Sequence, residues 1–200
     1  YGALGIKATH WLVEKGARHL ILAGRKGSSA EAQKTISDLK NSGARIMEAR
    51  ADVSKFDDVA KLMETIETTM PPLKGIIHAA GILADGMLAN LSKDSFEKVM
   101  APKVSGAWNL HVLTKDRDLD FFTLFSSAAS LLGSPGQGNY AAANAFMDAL
   151  AHLRRQQGLP AQSINWGPWS GSGMAANIAG FGSKVVITSF TEPAVFGAFS

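Results

Sequence analysis

The distribution of apolar and polar residues predicts that short buried strands alternate with helices along the chain. Apolar runs of the length expected for buried parallel strands cover residues 19–23, 44–49, 74–79, 121–125 and 161–166, with a further candidate at 184–188. Helices are predicted up to about residue 15, over residues 31–41 and 55–70, after Ser92 with an interruption at Pro102, over residues 141–155 and over residues 193–199. This alternation is typical of an α/β fold with a parallel sheet.

Residues at the predicted helix ends support these boundaries. Ser54 and Asp57 resemble a capping box, with Asp in place of the usual Glu, before the helix over residues 55–70. Gly158 has the position of a C′ glycine after the helix over residues 141–155.

Composition limits the classes of protein to which the chain can belong. Its 200 residues suit one α/β domain, and a hydrophobic content of 46% is ample for a core. The net charge is only +3 and the 20 Lys and Arg form no dense run, so we expect neither nucleic acid nor membrane as a partner. No cysteine is present and the five histidines lack ligand spacing, so we expect no metal site. No membrane span or signal peptide is recognisable, which makes a cytoplasmic location the expectation.

The first residues resemble the end of a dinucleotide-binding glycine motif. Gly2 and Gly5 match the second and third glycines of G-x-G-x-x-G, although a plain tight turn is an alternative reading. The first glycine and the strand before it would then precede residue 1. Because that strand is central in a doubly wound sheet, we expect the sequence to be part of a longer chain and to be poorly stable by itself.

Two segments after predicted strands have the chemistry of a nucleotide site. Arg25 follows the strand over residues 19–23, where an arginine suits the 2′-phosphate of NADP, and Lys26 is a candidate to assist it. Ala79, Ala80 and Gly81 follow a later strand, and their small size would let the backbone approach a flat cofactor ring. A solvent-exposed arginine without a ligand is the alternative for Arg25.

The stretch from Phe121 to Asn144 has a layout suited to proton chemistry. A buried strand ends at Ser126 and Ser127, a glycine-rich loop follows, and a helix begins at Tyr140. Asn144 lies four residues after Tyr140 and therefore on the same helix face.

Three phrases of the sequence resemble the short-chain dehydrogenase/reductase family, and more narrowly the ketoreductase domain of modular polyketide synthases. They are FSSAASLLGSPGQGNYAAANAFMDALA, HAAGIL and KVSGAWNL, which occur in the family's order and spacing within residues 1–176. The resemblance implies a Rossmann-like α/β fold with a doubly wound parallel sheet, whose first strand is missing or upstream of residue 1.

The resemblance also implies a set of catalytic residues. Tyr140 would be the general acid, and Ser127, which lies 13 residues before it, would bind the substrate carbonyl, whereas Ser126 would be structural. Lys103 would lower the pKa of Tyr140 and bond the cofactor ribose. Asn144 would hold a water or the lysine in a proton relay. The lysine precedes the tyrosine and the asparagine follows it, an exchange that marks ketoreductases within the family.

Cofactor contacts follow from the same resemblance, which implies NADPH. Gly2, Gly5 and Arg25 would bind its phosphates, and Asp52 with the neighbouring Val53 would contact the adenine, although Asp52 could instead belong only to a turn. The nicotinamide half would lie against Ala79, Ala80, Gly81, Lys103, Tyr140 and Pro168. Residues 167–182 would form a lid over the substrate.

Residues near the predicted site resemble those that set product stereochemistry. Asp85, Pro135 and Asn139 match markers of the B-type ketoreductases, and Leu132 stands where the A-type has tryptophan. Ala84 departs from the Leu-Asp-Asp triplet that is usual for the B-type. A simple loop aspartate is the alternative for Asp85.

Together these features predict that residues 1–200 are the catalytic ketoreductase part of a multidomain synthase. The substrate would be a β-ketoacyl chain on an acyl carrier protein, which with the flanking synthase domains would be the partners. The alternatives are a free-standing reductase of a small ketone and a non-catalytic, structural nucleotide-binding domain. Such structural domains typically lose the tyrosine, serine or lysine, all of which this chain retains.

Overall fold

The computed structural model describes residues 2–167, which form an α/β fold. The helices of this part are α1 Ala3–Glu14, α2 Ala30–Asn41, α3 Phe56–Thr69, α4 Lys93–Met100, α5 Gly106–Thr114, α6 Ala129–Leu132 and α7 Gly138–Gln156. The strands are β1 His19–Gly24, β2 Arg45–Arg50, β3 Gly75–His78, β4 Phe121–Ser127 and β5 Gln162–Trp166. All five strands predicted before residue 167 are thus confirmed. The predicted elements over residues 184–188 and 193–199, Pro168 and nearly all of the lid lie outside the described residues.

The strands form two parallel sheets. In one sheet β1 pairs with β2, so that Leu20 lies opposite Ile46. In the other the order is β3-β4-β5, with Ile76 opposite Phe122 and Leu124 opposite Ser163. Each parallel pair is connected through at least one helix, as parallel strands require. Parallel strands that alternate with helices confirm the predicted Rossmann-like α/β fold class.

Helices cover both sheets and hold them together. The main core lies under α3, α5 and α7, where Val59, Phe122 and Met147 are completely buried, and side chains of β1 and β3 also pack against it. On the opposite side, α1 buries Val13 against Leu20 of β1. The same helix also contributes to a cluster with residues of β4 and β5. Helix α1 therefore packs on both sheets. None of the helices within residues 2–167 is long and apolar enough to cross a membrane.

The predicted capping box at α3 is wrong. The helix starts after Lys55 without a side-chain cap. The Ser54 hydroxyl instead donates to Oδ1 of Asp52 over 2.7 Å, and the carboxylate of Asp58 accepts the amide hydrogen of Asp52 over 2.9 Å. The acidic side chain upstream competes for the serine, and the turn after β2 is stabilised in place of the helix end.

Candidate active site

The end of β4 and the start of α7 bring the predicted serine and tyrosine together. Ser127 is the last residue of β4, and Tyr140 lies in the first turn of α7, which follows the glycine-rich loop. The hydroxyl of Ser127 hydrogen-bonds with the phenol of Tyr140. A strand end and a helix start are rigid supports, so this pair is held in one geometry.

Lys103 reaches the same place from an irregular helical turn. Ser92 caps α4 as predicted, by accepting the amide hydrogen of Ser95 over 3.1 Å. Residues Ala101–Ser105 then form a π-helical turn around Pro102, and α5 continues from it. A π turn inserts an extra residue into a helix and redirects its side chains, which is common at functional sites.

The side chain of Lys103 is 3% exposed and lies across the ring of Tyr140. Its Nζ is 5.3 Å from the ring centroid and donates to the carbonyl oxygen of Phe125 in β4 over 3.1 Å. His78 supports the turn that carries the lysine, since its Nε2–H donates to the carbonyl of Pro102 over 3.0 Å. Its burial and this bond show that His78 is a packed residue of strand β3.

Burial changes the ionisation of both basic groups. It lowers the pKa of Lys103 to about 8, while the negative charge of Asp148 opposes that change. Burial and the positive charge of Lys103 together lower the pKa of His78 to about 4. At neutral pH the lysine is therefore charged and the histidine is neutral.

The prediction that Lys103 lowers the pKa of Tyr140 is wrong for this structure. Burial raises that pKa above its ordinary value of 10.0, and the charge of Asp85 adds to the rise, while hydrogen bonds with Ser127 and Asn144 oppose it. The reason is geometric: the lysine ammonium faces the tyrosine ring and the Phe125 carbonyl. It does not offset the cost of burying a phenolate.

Asn144 lies one turn after Tyr140 and is completely buried. Its Nδ2 donates to the backbone carbonyl of Tyr140 over 2.7 Å. Its Oδ1 is buried without a hydrogen-bond partner among the described residues. A buried acceptor in this state is costly unless a donor reaches it, so the position suits a water molecule or an ammonium group.

Of the three residues predicted to control stereochemistry, Asp85 and Pro135 lie on loops near Tyr140, and Asn139 lies in the first turn of α7. Nδ2 of the fully buried Asn139 donates to the carbonyl of Ala84 over 2.8 Å, and its Oδ1 accepts the amide hydrogen of Tyr140. Asp85 is exposed and accepts from Nε2 of Gln137 over 2.9 Å. Pro135 is exposed in the loop before α7. Asn139 therefore connects the loop that carries Asp85 to the start of α7.

Gln137 is a residue that sequence reasoning missed. It is buried, and it links the loop before α7 to the loop after β3 through Asp85. The backbone of the same two loops is joined where the amide of Gly86 donates to the carbonyl of Gly136 over 2.8 Å. A glutamine in a glycine-rich loop gives no sequence signal for such a contact.

The predicted nucleotide-binding residues follow the ends of β1, β2 and β3. Arg25 and Lys26 are exposed after β1, and Arg50, which the sequence did not single out, donates from its Nε to the carbonyl oxygen of Arg25 over 3.1 Å. Asp52 follows β2, and its carboxylate accepts hydrogen bonds from the amide and the hydroxyl of Ser54. Asp52 therefore stabilises the turn after β2. Ala79, Ala80 and Gly81 are partly buried after β3.

These residues suit a dinucleotide phosphate. Gly2 is the N-cap of α1, and a methyl group added at Gly2 or Gly5 would meet no heavy atom within 4 Å. The space beside the helix start is open, and backbone N–H groups there attract anions. Three basic residues lie at the ends of the neighbouring strands: Arg25 and Lys26 directly after β1, and Arg50 as the last residue of β2. Val53 packs against Gly106, where an added Cβ would lie 2.8 Å from Val53 Cγ2.

Comparison with known proteins agrees with this geometry. The family described as the KR domain matches residues 1–171. A phenolphthiocerol/phthiocerol polyketide synthase of Mycobacterium tuberculosis is 43% identical over 185 residues, which cover 92% of this chain and 8% of that protein. The spectinabilin polyketide synthase system protein NorB of Streptomyces orinoci is 48% identical over 180 residues, or 88% of this chain and 8% of that protein.

Solved structures give the same result. A ketoreductase domain from the bacillaene assembly line is similar with a TM-score of 0.92 and 32% identity, over 99% of this chain and 50% of that chain. An A-type ketoreductase from a modular polyketide synthase is similar with a TM-score of 0.91 and 36% identity, over 99% of this chain and 42% of that chain. The chain spans 8% of the length of the two curated relatives described above. With a family match over most of its length, the chain belongs to the KR domain family of ketoreductases.

Proposed function

We propose that this chain reduces a β-ketoacyl thioester, carried by an acyl carrier protein, to the β-hydroxyacyl thioester with NADPH as hydride donor. One observation carries the proposal: Ser127 of β4, Lys103 of the π turn, and Tyr140 and Asn144 of α7 meet around the end of β4. Hydroxyl, ammonium, phenol and amide groups at one point provide the donors that carbonyl reduction needs.

Tyr140 is proposed as the general acid. Its raised pKa keeps the phenol protonated at neutral pH, so it has a proton to donate to the substrate oxygen. The hydroxyl of Ser127 is in hydrogen-bonding reach of that phenol and is proposed to bind the same oxygen as negative charge develops on it. NADPH, when bound, supplies the hydride that adds to the carbonyl carbon.

Lys103 and Asn144 are proposed to restore the proton on Tyr140. The ammonium of Lys103 lies across the tyrosine ring, and a phenolate formed by proton loss would attract it towards the phenol oxygen. The free Oδ1 of Asn144 is suited to accept a hydrogen bond from a water molecule or from that ammonium. Together they would connect the phenol to a proton source.

The family implies a nicotinamide cofactor, and we propose NADPH specifically. Arg25 and Lys26 would bind the 2′-phosphate, and Arg50 adds a third positive charge beside Arg25. The remaining contacts are proposed at Gly2, Gly5, Asp52, Val53, Ala79, Ala80, Gly81, Lys103, Tyr140 and Pro168. Pro168 and the lid over residues 167–182 enter this proposal on the resemblance of the sequence alone.

We propose the B-type product configuration. The support is the set Asp85, Pro135 and Asn139, of which Asn139 and Asp85 join the loops beside Tyr140. An A-type ketoreductase is among the similar solved structures, so likeness of the overall fold does not distinguish the two types. The stereochemical proposal depends on the loop residues, and analysis of the product alcohol on a chiral column tests it.

The partners are proposed from the chemistry and from the relatives. The relatives described above are polyketide synthases, so we propose flanking synthase domains and an acyl carrier protein bearing the substrate on a phosphopantetheine arm. A cytoplasmic location is proposed with them, because the reaction consumes NADPH. A free-standing reductase of a small ketone and a purely structural domain remain the alternatives.

The test measures NADPH oxidation by the intact natural protein as a loss of NADPH absorbance. A β-ketoacyl thioester and a small cyclic ketone are the two substrates, each in a separate assay. The proposal predicts a higher kcat/KM for the thioester and a strong preference for NADPH over NADH. Equal or better turnover of the small ketone would favour the free-standing reductase. Cofactor binding without turnover of either substrate would favour the structural domain.

A further inference from the structure

A cluster of polar side chains lies behind the proposed catalytic residues. It consists of Asp148 and its neighbours Ser126, Ser130, Ser163 and Asn165, and we call it the Asp148 cluster. Its members come from β4, α6, α7 and β5. Asp148 lies four residues after Asn144 and eight after Tyr140, so all three share one face of α7.

The carboxylate of Asp148 is the centre of the cluster. Its Oδ2 lies 2.6 Å from the Ser130 hydroxyl and accepts from Nδ2 of Asn165 over 3.0 Å. Its Oδ1 accepts from the Ser163 hydroxyl over 2.5 Å. Burial opposes ionisation, but hydrogen bonds from the serines and Asn165 hold the pKa of Asp148 below its ordinary value of 3.8. The group is therefore a partly buried negative charge at neutral pH.

The cluster is connected to the proposed oxyanion donor. The Ser130 hydroxyl also lies 2.9 Å from the carbonyl oxygen of Ser127, and Nδ2 of Asn165 lies 2.8 Å from the Ser130 oxygen and 3.3 Å from the same carbonyl. The Ser127 side chain accepts the amide hydrogen of Ala129 over 3.2 Å. Ser130 and Asn165, which both contact Asp148, therefore hold the carbonyl of Ser127, while the Ala129 amide of the turn itself holds the Ser127 side chain.

The cluster also acts on the lysine. Asp148 provides the negative charge that opposes the loss of the Lys103 proton. The other groups facing Lys103 are His78 of β3, Tyr140 of α7 and the Phe125 carbonyl of β4. His78 is neutral at neutral pH and Tyr140 is protonated, so within residues 2–167 the negative charge acting on this ammonium is that of Asp148.

We propose that Asp148 is a positioning residue of the active site: its carboxylate fixes the turn from Ser127 to Ser130 through Ser130 and Asn165. This inference rests on the proposed reductase function. Asp148 touches neither the proposed reacting atoms nor the tyrosine, so it would act only through other residues.

The test substitutes Asp148→Asn, which keeps the size of the side chain and removes its charge. In the intact natural protein, kcat/KM for the β-ketoacyl thioester should fall about tenfold, because the serine turn loses a charge-assisted anchor. The alkaline decline of kcat/KM should also move to lower pH, because Lys103 loses its proton more readily without the carboxylate. A side chain with a merely structural role would not move that pH profile.

Two serine substitutions separate the roles of the cluster. Ser130→Ala removes the shorter of the two contacts with the Ser127 carbonyl but keeps the charge of Asp148, so kcat/KM should fall while the pH profile stays in place. Ser163→Ala is the matched control, because it removes one hydrogen bond to Asp148 Oδ1, the carboxylate oxygen that does not contact Ser130. Its kcat/KM should remain within about twofold of that of the wild type, and its pH profile should stay in place.

The outcomes are decisive for the inference. Unchanged kcat/KM and an unchanged pH profile in Asp148→Asn would overturn it. So would equal losses in all three variants, because these would indicate a cluster that only stabilises the fold. If Asp148→Asn does not fold, unchanged kcat/KM in Ser130→Ala would contradict the positioning role. A wild-type protein without turnover would instead contradict the proposed function itself.

Discussion

At the scale of single residues, the proposed role of the buried Lys103 ammonium predicts an activity that depends on pH. Because burial lowers the pKa of Lys103 to about 8, the free protein loses this charge as the pH rises through that value. We expect kcat/KM to be constant near neutrality and to decline above about pH 8. The raised pKa of Tyr140 places loss of the acid itself at higher pH.

The measurement is kcat/KM between pH 6 and 10. Lys98→Ala serves as a control, because Lys98 is an exposed lysine that pairs with Asp94 on α4. The alkaline decline of kcat/KM in Lys98→Ala should occur at the same pH as in the wild type. A profile that stays flat to pH 10 would contradict the assignment of a charged Lys103 to the active form.

Cofactor choice is a second property that depends on single side chains. Removing the guanidinium in Arg25→Ala should weaken NADPH binding about 10- to 100-fold, because a charge-assisted pair with the 2′-phosphate is lost. NADH binding should change little, since NADH lacks that phosphate. Titration of cofactor fluorescence measures both.

The matched control for cofactor choice is Arg45→Ala, at the opposite end of β2 from Arg50. It should leave both affinities unchanged. An equal loss of NADPH and NADH affinity in Arg25→Ala would indicate that Arg25 supports the fold or a phosphate common to both cofactors.

At the scale of elements, α7 is held at its far end by a buried arginine. Arg154 is completely buried, its guanidinium lies 4.0 Å above the ring of Phe122, and it donates to the carbonyl of Pro160 over 3.2 Å. It also shares a hydrogen bond with Nδ1 of His111. Arg154→Ala would leave a cavity and unpaired acceptors, so we expect the free energy of unfolding to fall by about 3 kcal/mol.

Urea unfolding of the intact natural protein measures this loss. The neighbouring Arg155 bonds the carbonyl of Ala161 at the exposed surface, so Arg155→Ala should cost at most about 0.5 kcal/mol. If both substitutions lower the free energy of unfolding by the same amount, the buried guanidinium of Arg154 contributes no more to stability than the exposed one of Arg155.

The elements were largely predictable from the sequence, whereas the contacts between them were not. Strand β4 was recognisable because the short apolar run FFTLF fits a strand buried in a parallel sheet. Pro102 likewise marked the interruption of the helix before α5. The π turn and its bond from His78 depend on a strand 24 residues earlier in the chain. Asp148 likewise meets Ser130 and Asn165 only after four elements have packed, so neither periodicity nor spacing indicated it.

The wrong inferences have the same origin. The lysine was predicted to lower the pKa of Tyr140 from residue types alone, but the sign depends on where the ammonium points and on how deeply the phenol is buried. The capping box was wrong because Asp52, two residues upstream, takes the hydroxyl of Ser54. Local patterns specify which groups are available, and tertiary packing decides which of them interact.

At the scale of the whole molecule, the buried, neutral side chain of His78 makes the stability of the fold depend on pH. The pKa of His78 is about 4 in the folded protein, against an ordinary value of 6.5, so the unfolded state binds more protons between these values. Stability should therefore fall as the pH drops from 6.5 towards 4, by up to about 3 kcal/mol. The lowered pKa of His111 adds a change of the same sign.

Urea unfolding at pH 7 and at pH 4.5 measures this dependence. His78→Gln, which retains a donor for the Pro102 carbonyl, should make the loss of stability on acidification smaller. His10→Gln is the control, because His10 is exposed and lies beside Glu14. If His78→Gln and the wild type lose the same free energy between the two pH values, the buried histidine is not the cause.

The most direct test of the account is NADPH oxidation with a β-ketoacyl thioester by the intact natural protein, compared with Tyr140→Phe. This substitution removes one oxygen from the side chain and keeps its ring, so NADPH affinity should be retained. The account predicts steady turnover by the wild type and a loss of at least about 100-fold in kcat in the variant, the contribution of a general acid. Turnover by Tyr140→Phe at the wild-type rate would contradict it, because another group would then supply the proton.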